Sequence, residues 1–127
     1  MRARNLPTTR LACGLGLLGA LAGCGSATDD RPARWSFISP AIIQPNCATA
    51  SCHSDIAQRA GVNLSDIAKG YSSLVDRHFV IPGSADTSEV IALMHAVGAR
   101  RMPPDFPLPE VDIQLVAAWI NAGAGND

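Results

Sequence analysis

The chain has 127 residues, of which 47% are hydrophobic and 17% are charged, and its formal net charge is −1 at pH 7. This length is enough for one domain and too short for two domains of ordinary size. Basic residues occur singly apart from Arg100-Arg101, so the sequence has no basic patch with interleaved aromatic residues of the kind that nucleic-acid-binding proteins carry.

The N-terminal segment is typical of an export signal. Three arginines precede a short apolar run over residues 11–22, which ends at Leu21-Ala22-Gly23-Cys24. This tetrapeptide resembles the bacterial lipobox, so we expect cleavage of a signal peptide at 1–23 and attachment of a diacylglyceryl group to the sulfur of Cys24. The alternative, a retained membrane anchor, is disfavoured because this apolar run falls short of the ~20 residues that span a bilayer.

Cleavage would change the balance of charge. It removes three of the ten basic residues and none of the eleven acidic ones, leaving 104 residues with a net charge of −4. We therefore expect an envelope protein, lipid-anchored on the periplasmic side or at the outer membrane, whose surface steers it toward a partially basic partner. Residues 24–34 are small and polar, which predicts a lipidated N-terminus and flexible tether, and the folded domain is predicted at 35–127.

The first half of this domain contains two predicted helices. Ser39-Pro40 is a plausible cap and first helical position, and Pro45 is predicted to end the first helix. A second helix is predicted to start at Ser65-Asp66, which offers a good N-cap, and to reach Leu74-Val75, although Gly70 weakens it.

The second half contains two more. After a turn at 80–83, Asp86 and Glu89 have the spacing of a capping box and predict a helix that runs through Val97 and ends at Gly98. Residues 101–107 contain three prolines and must form a stiff loop. The last helix starts near Glu110 and stops at Gly123, with apolar residues at helical spacing between them.

These elements predict an all-α domain of short helices with long connections. Only six aromatic residues occur in the whole chain. A core so poor in large side chains usually needs a disulfide, a metal or a cofactor to stabilise it. A buried cofactor would supply the missing volume.

The segment Cys47-Ala48-Thr49-Ala50-Ser51-Cys52-His53 carries the most specific chemistry. In c-type haem attachment, two cysteines form thioethers to the haem and the histidine directly after the second cysteine ligates the iron. The usual spacer between the cysteines has two residues, whereas this one has four small residues that can bow outward. The pattern therefore favours haem attachment through Cys47 and Cys52, with His53 as the proximal ligand.

Two other interpretations of the segment remain open. Cys47 and Cys52 could form a disulfide, with His53 merely exposed beside it. A zinc site is less favoured because structural zinc needs four ligands and the domain has no second cysteine pair. His78 and His95 would have to complete such a site.

A c-type iron usually takes a sixth ligand from a downstream loop. Met102, followed by Pro103-Pro104, is well placed, since a thioether sulfur favours reduced iron and a stiff loop reorganises little. Met94 has helical spacing with neighbouring apolar residues, which favours packing in the core. His78 and His95 are expected to be surface residues.

Taken in order, these pieces resemble the small planctomycete-type cytochrome c domains of exported bacterial proteins. The resemblance rests on Cys52-His53, 80–83, Ser88, Met102-Pro103-Pro104 and 119–124. It implies a cytochrome c-like fold with one haem c per chain, held covalently by Cys47 and Cys52, with His53 and Met102 on the iron. It further implies a carrier of single electrons, not an enzyme, that exchanges them with redox proteins of the envelope.

In such a fold the N-terminal and C-terminal helices pack together, and Leu115 and Trp119 are expected to face the core. Two rival functions remain. A haem-based sensor would need an open sixth position, and a haem-free lipoprotein with a Cys47–Cys52 disulfide would serve as an interaction module.

Overall fold

The computed structural model describes residues 29–127, and in this range the chain forms helices and turns without strands. The all-α prediction is confirmed. The predicted signal peptide and the lipidation site at Cys24 lie outside the described residues. Helix α1 covers 35–47, α2 covers 67–76, α3 is Glu89–His95 and α4 is Glu110–Asn121; single 3₁₀ turns occur at Arg59–Gly61, Ala85–Thr87 and Gly98–Arg100. Between residues 29 and 127 no helix combines the length and hydrophobicity that crossing a membrane requires.

Helix α1 differs from the prediction at both ends. It consists of an α-helical turn Trp35–Ile38, a π-helical segment Ser39–Ile43 and a second α-helical turn Gln44–Cys47. The predicted start at Ser39 and end at Pro45 are therefore wrong. Burial of Trp35 and Ile38 stabilises an earlier start. In the π-helical segment the N–H of Gln44 donates to the carbonyl of Ser39, five residues back. This wider turn lets the helix continue although Pro40 and Pro45 have no backbone N–H to donate.

Helix α2 begins as predicted. Asp66 is the N-cap, and its Oδ1 accepts a hydrogen bond of 2.8 Å from the backbone N–H of Lys69. The α-helical part, Ile67–Tyr71, continues as a π-helical segment, Ser72–Asp76. Gly70 is buried here against the indole of Trp35, so its small size serves the packing of α2 on α1.

Replacing Gly70 with alanine is expected to destabilise the domain by about 1–2 kcal/mol. The new Cβ would lie 3.0 Å from Cζ2 of Trp35, an atom of a rigid buried ring, and this crowding exceeds the gain of about 1 kcal/mol in helix propensity. Equilibrium urea unfolding would measure the change. Gly125→Ala is the control, because a Cβ there meets open space. A Gly70→Ala variant that is more stable than the wild type would contradict the prediction.

Helix α3 is shorter than predicted. Its N-cap is Ser88 and not Asp86, which lies in the preceding 3₁₀ turn. The Ser88 hydroxyl accepts from the N–H of Ile81 and donates to the carbonyl of Ser84, both at 2.8 Å, so it braces the turn before the helix. The helix ends at His95, because Val97 finds nothing to pack against and is 87% exposed.

An aromatic cluster of Trp35, Tyr71 and Trp119 joins the two ends of the domain. The two indoles stack with ring centroids 4.9 Å apart, and Tyr71 meets both edge-on. Trp119 and Leu115 are buried, as predicted, and α1 packs on α4. The polar atoms of the cluster all donate to backbone carbonyls: Trp35 Nε1 to Ile67, Tyr71 Oη to Ala124 and Trp119 Nε1 to Gly125.

The described part of the predicted tether is bound to the helical domain. Arg31 donates to Asp112 of α4 at 2.6 Å and also pairs with Asp29. The Nε atom of Arg34 lies 3.9 Å from Oδ2 of Asp127. Complementary charges thus connect residues 29–34 with the C-terminal part of the domain.

Candidate cofactor site

A cavity of about 370 Å³ lies between the end of α1, the following loop, α3 and the proline loop. All four residues predicted to bind the cofactor line it: Cys47, Cys52, His53 and Met102. Its volume is within the range of small-molecule and cofactor sites. Most of the remaining wall is apolar and comes from Ile43, Val62, Leu64, Leu74, Phe79, Val90, Leu93 and Met94.

The cysteine segment forms a closed turn. The backbone N–H of His53 donates to the carbonyl of Cys47 at 3.1 Å, and that of Cys52 donates to the carbonyl of Thr49 at 2.9 Å. These bonds bow the four spacer residues out and bring both cysteines to one wall of the cavity. Both thiols are free, so the disulfide of the alternative interpretation is not formed in this structure.

The two thiols have different environments. Burial at the end of α1 raises the pKa of Cys47 to about 11, and the nearby Cys52 sulfur adds to this rise. The pKa of Cys52 is lowered by hydrogen bonds from the side chains of Thr49 and Ser51, and the positive charge of Arg59 contributes. Cys52 is therefore the thiol that ionises first.

In protein prepared without cofactor, alkylation by iodoacetamide at pH 8 is expected to be about tenfold faster at Cys52 than at Cys47, because the thiolate is the nucleophile. Timed quenching and peptide mass spectrometry would give both rates. Urea-denatured protein is the control, and there the two rates should converge. Equal rates in the folded protein would show that the two thiol environments do not differ as described.

His53 is oriented by a backbone carbonyl. Its Nδ1 lies 3.1 Å from the carbonyl oxygen of Arg59. Because a carbonyl can only accept, Nδ1 is the donor in this contact, and in the neutral ring the lone pair is then on Nε2. This is the tautomer that ligates metals through Nε2, with the second nitrogen held by an outer partner.

The other histidines lie elsewhere. His95 Nε2 is 3.2 Å from Oε2 of Glu110, and His78 is exposed on the turn after α2. Neither lines the cavity. Across residues 29–127, no three histidine, cysteine or carboxylate side chains come together as a metal site, so the zinc site that would use His78 and His95 is not formed.

Met102 lies on a well-anchored loop. Its backbone N–H donates to the carbonyl of Leu93 at 3.0 Å, which ties the loop to the end of α3. The Arg101 guanidinium donates to the carbonyls of Pro103 and Pro104 at 3.2 and 2.9 Å. Met94 is buried, as predicted, but it also lines the cavity, a position that helical periodicity could not reveal.

Residues 50–105 match a family model described as planctomycete cytochrome C. This match, which covers a little under half of the chain, supports a cytochrome c-like domain. The matched segment contains Cys52, His53 and Met102, and Cys47 lies just before it. No curated protein and no solved structure matches the chain.

The residues of this cytochrome c-like domain fit a haem c group. Two thiols on one wall are the groups that form thioethers, and the imidazole of His53 and the sulfur of Met102 are iron ligands found in cytochromes c. The apolar wall suits a porphyrin ring. The general function of such a domain is electron transfer.

Arg59 is another residue of the site that the sequence did not predict. Arg59 lines the cavity and contacts the cysteine segment through both its backbone and its side chain. It lies six residues after His53 in a stretch without periodicity, and no sequence pattern distinguishes it from a solvated arginine.

Proposed function

We propose that this protein is a monohaem c-type cytochrome that carries single electrons at the bacterial envelope. The observation that carries the proposal is that Cys47, Cys52, His53 and Met102 all line the same cavity. The match of residues 50–105 to a cytochrome family supports it. One haem per chain follows from the single Cys-His pair in the sequence.

Cys47 and Cys52 would hold the cofactor covalently. Each thiol S–H would add across a vinyl double bond of the haem, with the sulfur bonded to one vinyl carbon and the hydrogen to the other. Nothing leaves and no external oxidant is consumed. The bound haem supplies one-electron chemistry, since its iron alternates between the ferric and ferrous states.

The remaining residues bind the iron and set its environment. His53 would hold the iron through the Nε2 lone pair and Met102 through its thioether sulfur. The soft sulfur favours ferrous iron, and the apolar wall excludes water. The anchored proline loop keeps Met102 in one place during oxidation and reduction, which reduces reorganisation.

The same proposal includes the location and partners of the protein. A lipid on Cys24 would tether the domain to a membrane of the envelope, and redox proteins there would deliver and accept the electrons. The protein then acts as a carrier and not as an enzyme, and it needs no small-molecule substrate.

A pyridine haemochrome spectrum tests the proposal. The full chain is expressed in a host able to mature c-type cytochromes, then denatured and freed of non-covalent haem. A spectrum with two thioethers is the expected result. A single-thioether spectrum would show that one cysteine remains unbound, and the absence of haem would overturn the proposal in favour of a haem-free lipoprotein.

Replacing Met102 with alanine is expected to change the visible spectrum and to lower the midpoint potential, because methionine ligation raises the potential of haem iron. Met94→Leu is the matched control, since it removes the other methionine sulfur at the wall while keeping most of the buried volume. Redox titration of both variants gives the comparison. If Met102→Ala leaves spectrum and potential unchanged, the sixth position is not Met102, and ligand sensing at an open site becomes the better hypothesis.

A further inference from the structure

Arg59 binds the cysteine segment at three successive residues. Its backbone N–H donates to the carbonyl of Cys52 at 3.0 Å, and its Nε donates to the carbonyl of Ser51 at 2.7 Å. Its own carbonyl accepts the hydrogen bond from Nδ1 of His53 at 3.1 Å. One residue thus contacts the second cysteine, the residue before it and the histidine after it.

We propose that the Arg59 side chain, through Nε, reinforces the backbone contacts of this turn and so positions residues 51–53, with the Cys52 sulfur and the His53 imidazole facing the cavity together. The inference rests on the proposed haem attachment and assigns a role within it. A four-residue spacer between the cysteines has more backbone freedom than a two-residue spacer, and this freedom must be removed for both groups to meet one cofactor. The contacts of Arg59 restrict this backbone freedom at residues 51–53, the end of the segment that carries the proposed iron ligand His53.

The backbone around Arg59 supports this role. Gln58 and Ala60, on either side of it, have φ values of 39° and 55°, in the left-handed region that disfavours residues with a Cβ. Such conformations persist where surrounding contacts impose them, and they cluster at functional sites. Here they turn the N–H and the carbonyl of Arg59 toward Cys52 and His53.

Arg77 fixes the outer side of the same turn. Its guanidinium donates to the carbonyls of Ala60 and Gly61 and lies over the ring of Phe79, a residue of the cavity wall. It makes no hydrogen bond with residues 47–53. Arg77 is therefore a matched reference, an arginine on backbone carbonyls that supports the turn without touching the cysteine segment.

The Arg59 side chain is not used in an ion pair. Among the described residues it has no carboxylate oxygen within 4 Å, whereas Arg31, Arg34 and Lys69 all have one. Its hydrogen bond to Ser51 is directional and comes from Nε, in the middle of the side chain. A lysine keeps the charge but has no donor at that position.

The test compares Arg59→Met, Arg59→Lys and Arg77→Met in the full chain, expressed with c-type maturation machinery. Circular dichroism reports the helical fold, and the haemochrome spectrum reports attached haem and the number of thioethers. We expect both Arg59 variants to lose about tenfold in doubly attached haem per folded chain, the size of loss found when a group that orients a metal ligand is removed, with the remainder shifted toward one thioether. Arg77→Met should retain the wild-type spectrum.

The outcomes separate this inference from the proposed function. Wild-type protein without covalent haem would refute the function itself. Wild-type haem content and two thioethers in a folded Arg59→Met variant would overturn the positioning role alone. If Arg59→Met does not fold, Arg59→Lys decides, because wild-type attachment in that variant shows that the Nε contact is dispensable. An equal loss in Arg77→Met would also overturn the inference, since it would show a general effect of loosening the turn.

Discussion

Replacing both Cys47 and Cys52 with alanine is expected to abolish covalent haem, so that acid–acetone extraction removes all colour from the protein. Both thiols lie on the wall of the same cavity, and no other cysteine occurs in residues 29–127. Any haem left in this variant would be held by coordination through His53 and Met102 alone. The measurement is the ratio of haem absorbance to protein mass before and after extraction.

The single variants give the finer result. Cys47→Ala and Cys52→Ala should each retain haem through one thioether, visible as a shifted haemochrome band. Ser51→Ala is the control, because it removes a hydroxyl beside Cys52 while keeping the backbone carbonyl that Arg59 binds. Extraction-resistant haem in the double variant would contradict the assignment of both cysteines.

Replacing Trp35 with alanine is expected to lower the free energy of unfolding by about 3–5 kcal/mol. The indole is fully buried, stacks on Trp119 and donates to the carbonyl of Ile67, so the variant would lose both this packing and this hydrogen bond. At Gly70 the backbone of α2 is already close to the ring. The helices therefore have little room to move closer and fill the cavity that loss of the indole would leave.

Equilibrium urea unfolding followed by circular dichroism would measure this loss. Val111→Ala is the control, since Val111 is on the exposed side of α4 at 54% accessibility and should change stability by no more than about 0.5 kcal/mol. A change below about 1 kcal/mol in Trp35→Ala would mean that the aromatic cluster is not the centre of the core.

The helices that the sequence predicted best are those with strong local determinants. Helix α4 has apolar residues at helical spacing and a glycine at its end, and α2 has a side-chain N-cap at Asp66. Helix α1 was misjudged because its first turn is stabilised by burial of Trp35, a tertiary effect that local propensity does not contain. The end of α3 was misjudged because apolar character alone does not bury Val97.

The candidate site divides in the same way. Cys52 and His53 are adjacent in the sequence and Met102 precedes two prolines, so residue chemistry was enough to select them. Met94 and Arg59 were not predicted as site residues, because their places at the cavity depend on how α3 and the loop after His53 fold back. The contacts of Arg59 depend on the left-handed backbone conformations of Gln58 and Ala60. Neither glutamine nor alanine favours that conformation, so the sequence does not predict it.

The aromatic cluster and the cavity share no residue, because Trp35, Tyr71 and Trp119 are absent from the cavity wall. The packing of the aromatic cluster, which joins the two ends of the domain, thus lies apart from the site that would set the redox potential of the iron. Replacements at wall residues outside the buried core, such as Phe106, would therefore shift the redox potential of the proposed haem with little effect on the fold. A family built on this plan could cover a wide range of potentials by varying a few wall residues on a constant frame.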